Sequence, residues 1–504
     1  MPRLPAGLRR LLAVLVLGLP VAGFAGPPLI EAISGNDVPA ALKLLDGGAD
    51  ARARLPDGTT ALHYAAHIGN LDLVNRLIKA GALVNARNDY GSTPMQEAAQ
   101  RGDAGLIRAL LKAHADPDTP NDEGETALMT VARTGSVDAA KLLIKAHANV
   151  NAVESWRGQT ALMWAAGQGN PEMVKLLLKA GARPDIISTV RDWERKVTAE
   201  PRPQNRPPGG FTALLLAARE GCAPCAQALI DGHADINLSN PENITPLLEA
   251  ILNARFDTAK VLIEAGADVN RWDVWGRAPL YSAIDYNTTP RGGRPDRPSA
   301  DTALPLDVAK LLLDRGANPN MQLKLFPPYR SLGQDRGGDS LLTTGTTPLL
   351  RAAKAGDVEA TKLLLQYKAL PDLQNNLGAT PLLAAAGANW SITDIRGRFR
   401  NEQQCIETAK LLIAAGANVN AVTERGQSSL HAATHLGWTQ FVRFLAANGA
   451  KLDIKDRGGA TPLDIATGRA GGASRPGASG PEAHPETAAA LRELMAANGA
   501  AAGR

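Results

Sequence analysis

A short sequence unit recurs along almost the whole of this 504-residue chain. Its clearest copy, TALMWAAGQGNPEMVKLLLKAGARPD, runs from Thr160 to Asp185 and opens with threonine, alanine and leucine. Other copies begin at Thr60, Thr93, Thr126, Thr212, Thr245, Thr347, Thr380 and Thr461, and weaker copies begin at Ala278 and Ser428. Most consecutive copies start 33 residues apart, and four intervals are longer, at 34, 52, 69 and 48 residues. A fixed period in this range predicts a solenoid of stacked units.

Each unit predicts two short helices separated by a turn. In the first half of the copy at Thr160, the residues Leu162, Ala165 and Ala166 fall on one helical face. A glycine at Gly169 suits the left-handed turn that ends this helix, and Asn170 is a good N-cap for the next one. The second helix has an apolar stripe formed by Met173, Val174, Leu177 and Leu178. No single unit can bury its stripe alone, so stacking must supply the core.

The threonine–alanine/proline–leucine opening and the 33-residue period resemble the ankyrin family over roughly residues 27–500. The resemblance implies an all-α solenoid of about twelve helix-turn-helix units, with hairpin fingers between them that turn at glycines such as Gly91. More narrowly, the sequence from TALMWAAGQGNPEMVKLLL to TTPLLRAAKAGDVEATKLLL looks like exported bacterial ankyrin-repeat proteins. Members of the family are generally binding proteins.

Residues 1–25 have the layout of a secretory signal peptide. Three arginines precede an apolar run at 11–19, and small residues suited to cleavage follow at 23–25. The apolar run is too short to span a membrane comfortably. We therefore expect an exported chain that starts near Gly26, is periplasmic or secreted, and has no stable membrane insertion.

The repeat solenoid is predicted to occupy residues 26–500. Its longer intervals indicate insertions near 190–210, 288–305, 323–343, 389–404 and 468–485. Long loops in a repeat architecture are either functional or disordered. The glycine-, alanine-, serine- and proline-rich stretch at 468–485 favours disorder, whereas the aromatic residues of the first and third insertions favour contact.

The net charge and the sequence motifs limit the classes of function that this chain can have. The chain has a formal net charge of +4, and residues 1–25 contain three arginines and no acidic residue, so the remainder has a charge of +1. Such a chain lacks the basic footprint of a nucleic-acid-binding protein. It also lacks a nucleophile elbow, a phosphate-binding P-loop and a dinucleotide-binding glycine motif. We therefore predict a non-enzymatic protein without a cofactor.

The tryptophans are the first indication of a binding site. Only 4% of the chain is aromatic, yet Trp156, Trp193, Trp272 and Trp275 all fall in finger segments. Large apolar residues on fingers need a reason, and tryptophan is strongly enriched in interface hot spots. The alternative is that these rings pack on one another or under the arginine-rich insertion and stabilise long fingers.

The first helices give a second indication. By the ankyrin resemblance, the fifth and eighth positions of each unit face a concave surface, among them Tyr64 and His67, Glu97 and Gln100, and Thr130 and Arg133. Units five to seven place Trp164, Leu216 and Leu252 at the fifth or eighth position, beside charged residues. An apolar patch with charged edges is typical of a protein-binding site. The predicted partner-binding residues are Trp156, Trp164, Trp193, Leu216, Arg219, Leu252, Trp272 and Trp275.

The cysteines and histidines have structural alternatives to chemistry. Cys222 and Cys225 form a C-x-x-C motif at a helix start, where the thiolate is favoured, but the βαβ context of redox proteins is missing. A local disulfide is the simpler interpretation in an oxidising compartment, and redox activity or free or metal-bound thiols are the alternatives. His63/His67 and His431/His435 have i, i+4 spacing, but no further ligand is placed to complete a metal site. The resemblance assigns the first histidine of each pair to hydrogen bonds between units.

The sequence thus predicts an exported, non-enzymatic scaffold that binds a protein partner through the concave face and fingers of the central units. Two other hypotheses remain open. One is a thiol-redox or other enzyme that uses Cys222 and Cys225, and the other is a secreted effector that acts on another cell.

Overall fold

The protein is described from a computed structural model that covers residues 26–191, 209–288, 301–325, 341–388, 401–469 and 483–502, with side chains as far as 498. The predicted signal peptide at 1–25, Trp193 and the central part of each predicted insertion lie outside these ranges. The described residues form 24 helices, as predicted for an all-α repeat, and fall into two compact units.

The first unit comprises residues 26–189, 209–217 and 224–235. Its helices occur in consecutive pairs. They are α1 (Pro28–Ser34), α2 (Val38–Asp46), α3 (Ala61–Ile68), α4 (Leu71–Lys79), α5 (Pro94–Arg101), α6 (Ala104–Lys112), α7 (Ala127–Thr134), α8 (Val137–Lys145), α9 (Ala161–Gly167), α10 (Pro171–Lys179), the first part of α11 (Ala213–Glu220), and α12 (Ala223–Asp231) from its second residue.

The second unit comprises residues 190–191 and 218–223 and the described residues from 236 to 502. Its helices also occur in consecutive pairs. They are α13 (Pro246–Leu252), α14 (Phe256–Glu264), α15 (Pro279–Thr288), α16 (Pro305–Asp314), α17 (Pro348–Lys354), α18 (Val358–Gln366), α19 (Pro381–Ala385), α20 (Glu402–Ala414), α21 (Ser429–His435), α22 (Thr439–Ala447), α23 (Pro462–Ala466) and α24 (Pro485–Ala502).

Within each unit the helices form two layers. In the first unit, α3, α5, α7 and α9 pack side by side in one row, and α4, α6, α8 and α10 pack in a second row. In the second unit, α13, α15, α17, α19, α21 and α23 form the first row, while the alternate helices pack against them. This arrangement is the solenoid that the sequence period predicts.

The core lies between the two layers, on the predicted helix faces. Leu162, Ala165 and Ala166 of α9 are buried, as are Met173, Val174 and Leu177 of α10. Full burial of one such leucine or methionine contributes about 2 kcal/mol relative to leaving it in water. Small alanines at the inner positions leave room for the next helix of the row.

The turn between paired helices also follows the prediction. Asn170 caps α10, because its side-chain oxygen accepts a hydrogen bond from the Met173 amide at 3.0 Å. Gly169 has a φ of +67°, in the left-handed region that glycine adopts without steric cost. The chain therefore reverses between the helices without leaving a helix end uncapped.

The fingers are held together by backbone hydrogen bonds between neighbours. The Asp89 amide donates to the Asp57 carbonyl at 2.8 Å, and the Ser155 amide donates to the Glu123 carbonyl at 2.8 Å. In the described ranges the finger segments form isolated antiparallel bridges, such as that between Arg54 and Thr60. Gly91, with a φ of +73°, lies so close to the next finger that an added Cβ atom would be 2.4 Å from the Asp122 amide nitrogen.

Candidate functional site

The predicted finger tryptophans have different environments. Trp156, in the first unit, is 48% exposed, and Trp272, in the second unit, is 40% exposed. The Lys324 ammonium lies 6.0 Å from the ring centre of Trp272. Trp193 lies outside the described residues. Among the finger tryptophans that the structure describes, only Trp156 and Trp272 have the exposure that the prediction requires.

Trp275 is a correction to the predicted site, because it is only 1% exposed. The guanidinium carbon of Arg277 lies 5.0 Å from its ring centre, and the same guanidinium contacts the buried Asp273 carboxylate at 2.7 Å. The finger folds around this indole, so Trp275 belongs to the core and offers no surface to a partner.

The predicted first-helix residues also differ from one another. Leu216 is 4% exposed and is therefore a core residue, which corrects its assignment to a binding face. Arg219 is exposed, and Leu252 and Trp164 are half-buried. The fifth and eighth positions of the repeats are thus not uniformly accessible.

A cavity of about 370 Å³ opens on the first unit, between the fingers and the first helices of three successive repeats. Its lining includes the fifth and eighth positions of three repeats, counted from the opening threonine. These positions lie on α3, α5 and α7, and the ankyrin resemblance places them on a concave surface. The lining residues are Asp57, Thr59, His63, Tyr64, His67, Asn88, Tyr90, Ser92, Gln96, Glu97, Gln100, Asn121, Glu125, Thr130 and Arg133. A cavity of this volume that is lined by a mixture of aromatic and polar groups is typical of a ligand pocket.

Glu97 is at the centre of a hydrogen-bond network in the cavity. The Ser92 hydroxyl donates to its Oε1 at 2.6 Å, and its Oε2 lies 2.9 Å from Nδ1 of His67. Burial raises the pKa of the Glu97 carboxyl, but the hydrogen bonds from His67 and Ser92 outweigh burial, so the pKa is lowered overall. The hydrogen bond to Glu97 in turn raises the pKa of His67, against the opposing effect of burial.

His63 has the structural role that the resemblance implies. Its Nδ1 accepts a hydrogen bond from the Thr60 amide at 3.2 Å, and its Nε2 donates to the Ser92 carbonyl at 3.0 Å, so the ring is neutral and links two repeats. Burial lowers the pKa of His63. His431 makes the equivalent contacts with Ser428 and Ala460 in the second unit.

Arg133 connects the cavity to Trp164. Its guanidinium carbon lies 5.3 Å from the centre of the Trp164 ring, and one guanidinium nitrogen lies 3.3 Å from Oε1 of Glu125. Glu125 is only 7% exposed. The 3.3 Å approach is an ion pair without hydrogen-bond geometry, and Oε1 of Glu125 has no hydrogen-bond donor among the described residues.

Two tyrosines form the aromatic part of the cavity. Tyr64 is half-buried, and Tyr90, at the tip of a finger, is 56% exposed. The pKa of Tyr64 is raised first by burial and then by the nearby charges of Asp57, Tyr90 and Glu97. The Asp57 carboxylate is held in place by the Thr59 amide, which donates to its Oδ1 at 2.9 Å. An acidic group therefore lies beside two phenol rings.

Comparison with known proteins agrees with this geometry. The family model for three copies of ankyrin repeats matches residues 29–121, 95–188, 197–273, 214–323 and 400–473, and the model for a single ankyrin repeat matches 344–376. Together these segments cover more than half of the chain.

The chain belongs to the ankyrin-repeat family.

Individual relatives match part of this ankyrin-repeat protein. The B-cell lymphoma 3 protein homolog of Mus musculus is 29% identical over 206 residues, which are 40% of this chain and 38% of that protein. Ankyrin repeat and SOCS box protein 16 of Homo sapiens is 28% identical over 254 residues, which are 50% of this chain and 46% of that protein. The match thus spans less than half the length of either relative. The crystal structure of the human ASB11 ankyrin repeat domain has 21% identity and a TM-score of 0.39, and covers 48% of this chain and 98% of that one.

The cysteines of this ankyrin-repeat protein have two different states. Cys222 and Cys225 are disulfide-bonded, whereas Cys405 is a thiol buried in α20. The disulfide lies at the start of α12, in the turn between the helices of one repeat. A local disulfide of this kind is the simpler interpretation of the C-x-x-C motif.

Across the described ranges, no group of three histidine, cysteine, aspartate or glutamate side chains is arranged to hold a metal ion. In the same part of the chain, no helix combines the length and hydrophobicity needed to cross a bilayer.

The sequence did not single out the cavity of α3, α5 and α7. The tryptophans and leucines of later repeats drew attention because they are unusual, whereas Tyr64, Tyr90, Asp57 and Glu97 are ordinary for their positions. The available signal was that two tyrosines and two acidic residues occur at finger and concave positions of adjacent repeats, near His63 and His67.

Proposed function

We propose that the chain is a non-enzymatic scaffold that binds a protein partner through the concave helix face and fingers of its first unit. Ankyrin repeats generally mediate protein–protein binding, and their stacked repeats create extended concave surfaces for it. The observation that supports this site is the cavity of about 370 Å³, to which three consecutive repeats contribute side chains.

The composition of the surface supports a protein partner. Exposed Tyr90 and Trp156 stand on fingers, and half-buried Tyr64 and Trp164 lie on the first helices. Tyrosine, tryptophan and arginine are the residues most enriched in hot spots, and Arg133 joins the cavity to Trp164. Hydrogen bonds among Ser92, Glu97 and His67 hold part of this surface in place before a partner arrives.

Affinity capture tests this proposal. The full chain, and a variant with Tyr90, Trp156 and Trp164 replaced by alanine, are used as bait for extracts and culture medium of cells that express the chain. We expect partners captured by the parent to be lost with the variant. A matched control, Leu71→Ala, removes an exposed apolar side chain from α4, which does not line the cavity, and should capture as the parent does. Equal capture by the triple variant would refute the site.

We also propose that the chain is exported, with residues 1–25 acting as a cleaved signal peptide. The arginines followed by an apolar run and small residues support this proposal. Mass spectrometry of the chain recovered from its native cells tests it, and we expect an N-terminus near Gly26. A recovered chain that retains residues 1–25 in a cell fraction containing cytosol would count against export.

A further inference from the structure

The charges that line the cavity of α3, α5 and α7 are unbalanced. Three carboxylates, of Asp57, Glu97 and Glu125, face one guanidinium, of Arg133. His63 adds no positive charge, because its Nδ1 accepts a hydrogen bond from a backbone amide and the ring is therefore neutral. The cavity consequently has an excess of negative charge even when His67 is protonated.

The positive groups of the cavity are already engaged. Arg133 is held between the Glu125 carboxylate at 3.3 Å and the Trp164 ring at 5.3 Å. His67 is held by Glu97 at 2.9 Å. An anionic ligand would have to break one of these pairs before it could bind a positive group. A cationic ligand can bind Asp57 and leave both pairs intact.

One acceptor oxygen of the cavity is still without a donor among the described residues. Asp57 uses Oδ1 to accept from the Thr59 amide, and its Oδ2 accepts no hydrogen bond from the described residues. Oε1 of Glu125 is not available to a ligand, because it is fully buried and already faces the Arg133 guanidinium at 3.3 Å. Asp57 is half-buried, so a ligand N–H group can replace the water that its Oδ2 would otherwise need.

The aromatic rings provide a second kind of attraction for a cation. Tyr64 and Tyr90 line the same cavity as Asp57, and the face of a tyrosine ring attracts an ammonium or guanidinium group within about 6 Å of its centre. Tyr90 is more than half exposed, so an incoming side chain can reach this end of the cavity from solvent. The Asp57 carboxylate and the tyrosine rings together favour a positively charged ligand over a neutral one.

We propose that this cavity is the receptor site for one basic side chain, an ammonium or a guanidinium group, of the protein partner. The proposal rests on the proposed function in that the cation is supplied by a protein. A single long side chain suits a cavity of about 370 Å³ that opens between finger tips. The partner residue enters the cavity beside Tyr64 and Tyr90 and donates hydrogen bonds to Asp57.

The experiment uses small probes, so that it does not depend on the identity of the partner. The full chain is titrated by calorimetry with Nα-acetyl-arginine methylamide and Nα-acetyl-lysine methylamide. Their uncharged counterparts, built on citrulline and norleucine, are the controls. We expect at least one basic probe to bind with a Kd of about 1 mM, as its size allows, and the uncharged pair to bind at least tenfold more weakly. Which basic probe binds more tightly distinguishes guanidinium from ammonium.

A matched pair of variants locates the binding. Asp57→Asn retains an oxygen for the Thr59 amide but removes the charge, and should weaken the basic probe about tenfold or more. Asp122→Asn removes a charge from the next finger, where Asp122 pairs with Arg87 at 2.9 Å outside the cavity lining, and should leave affinity within about twofold. Equal losses in both variants would show attraction to general negative charge and overturn the proposal.

The two proposals fail in different ways. If neither basic probe binds but partner capture still depends on Tyr90, Trp156 and Trp164, the basic-side-chain proposal is wrong and the scaffold proposal stands. If a basic probe binds through Asp57 but capture does not depend on this surface, the cavity is not the partner's site, and both proposals for it are wrong.

Discussion

Nδ1 of His67 lies 2.9 Å from Oε2 of Glu97, which joins the eighth position of one repeat to the fifth position of the next. The pair makes stability depend on pH. The pKa of His67 is raised, so its contribution is complete below its ordinary value of 6.5 and is lost as pH rises through the raised pKa. The pKa of Glu97 is lowered, so its contribution is complete above its ordinary value of 4.5 and is lost as pH falls through the lowered pKa.

Replacing Glu97 by glutamine should therefore reduce stability most between pH 4.5 and 6.5, and less at higher pH. The His67 side chain is 52% exposed, so the loss should be about 0.5–1 kcal/mol, as for a solvent-exposed ion pair. Urea unfolding of parent and variant at about pH 5.5 and about pH 8.5 measures it. Burial lowers the pKa of His63 and the charge of Glu97 raises it, so removing that charge should add to the loss at the lower pH. A difference that does not change with pH would show that His67 is uncharged in this pair.

His63 should matter more than His67, although both lie on α3. His63→Ala leaves the buried Thr60 amide and Ser92 carbonyl without their partner, which should cost about 1–3 kcal/mol. His67→Ala, the matched control one helical turn away, loses the half-exposed pair with Glu97, whose carboxylate keeps the hydrogen bond from Ser92. Urea midpoints of the two variants at neutral pH provide the comparison. Equal midpoints would mean that water replaces the His63 hydrogen bonds without cost.

The parts of the fold that repeat were predictable from sequence. Leu162, Ala165 and Ala166 are buried where the helical period places them, and Gly169 has the expected left-handed backbone. These features depend on local geometry that is the same in every repeat. The histidine role assigned to His63 is confirmed for the same reason, because its partners are fixed by the stacking of identical units.

The accessibility of individual side chains was not predictable from the period. Trp275 and Leu216 occupy positions expected to face a partner, but both are buried. In the case of Trp275, the Arg277–Asp273 ion pair closes the finger around the ring, which is a contact peculiar to one repeat. The cavity beside Tyr64 was missed because it depends on three repeats at once. Single-unit patterns do not report such a combination.

The turn glycines of the fingers should differ from those that end helices. Gly91→Ala places a Cβ atom 2.4 Å from the Asp122 amide nitrogen at a φ of +73°, so the next finger has to move. Gly81→Ala has a similar φ of +86° but meets nothing within 4 Å. The second change should cost about 1–2 kcal/mol for the left-handed backbone alone, and the first should cost clearly more. Thermal unfolding followed by circular dichroism compares them, and equal losses would contradict the close approach of the fingers.

Trp272 and Trp275 lie in one finger, three residues apart, and test the corrected site most directly. Trp275→Ala removes a side chain that is 1% exposed and leaves a cavity against Arg277, so it should cost about 3–5 kcal/mol. Trp272→Ala removes a 40% exposed ring whose one described cationic neighbour, Lys324, lies 6.0 Å away, so it should cost about 1 kcal/mol or less.

Urea unfolding of both variants, followed by circular dichroism, measures the two losses on the same finger. The order of the two losses is the decisive result, because each variant removes one tryptophan side chain and the two side chains differ in their burial. A Trp275→Ala variant as stable as the parent would restore that residue to the candidate partner-binding surface. A Trp272→Ala variant as unstable as Trp275→Ala would instead show that the whole finger is a packed element, which would remove Trp272 from that surface as well.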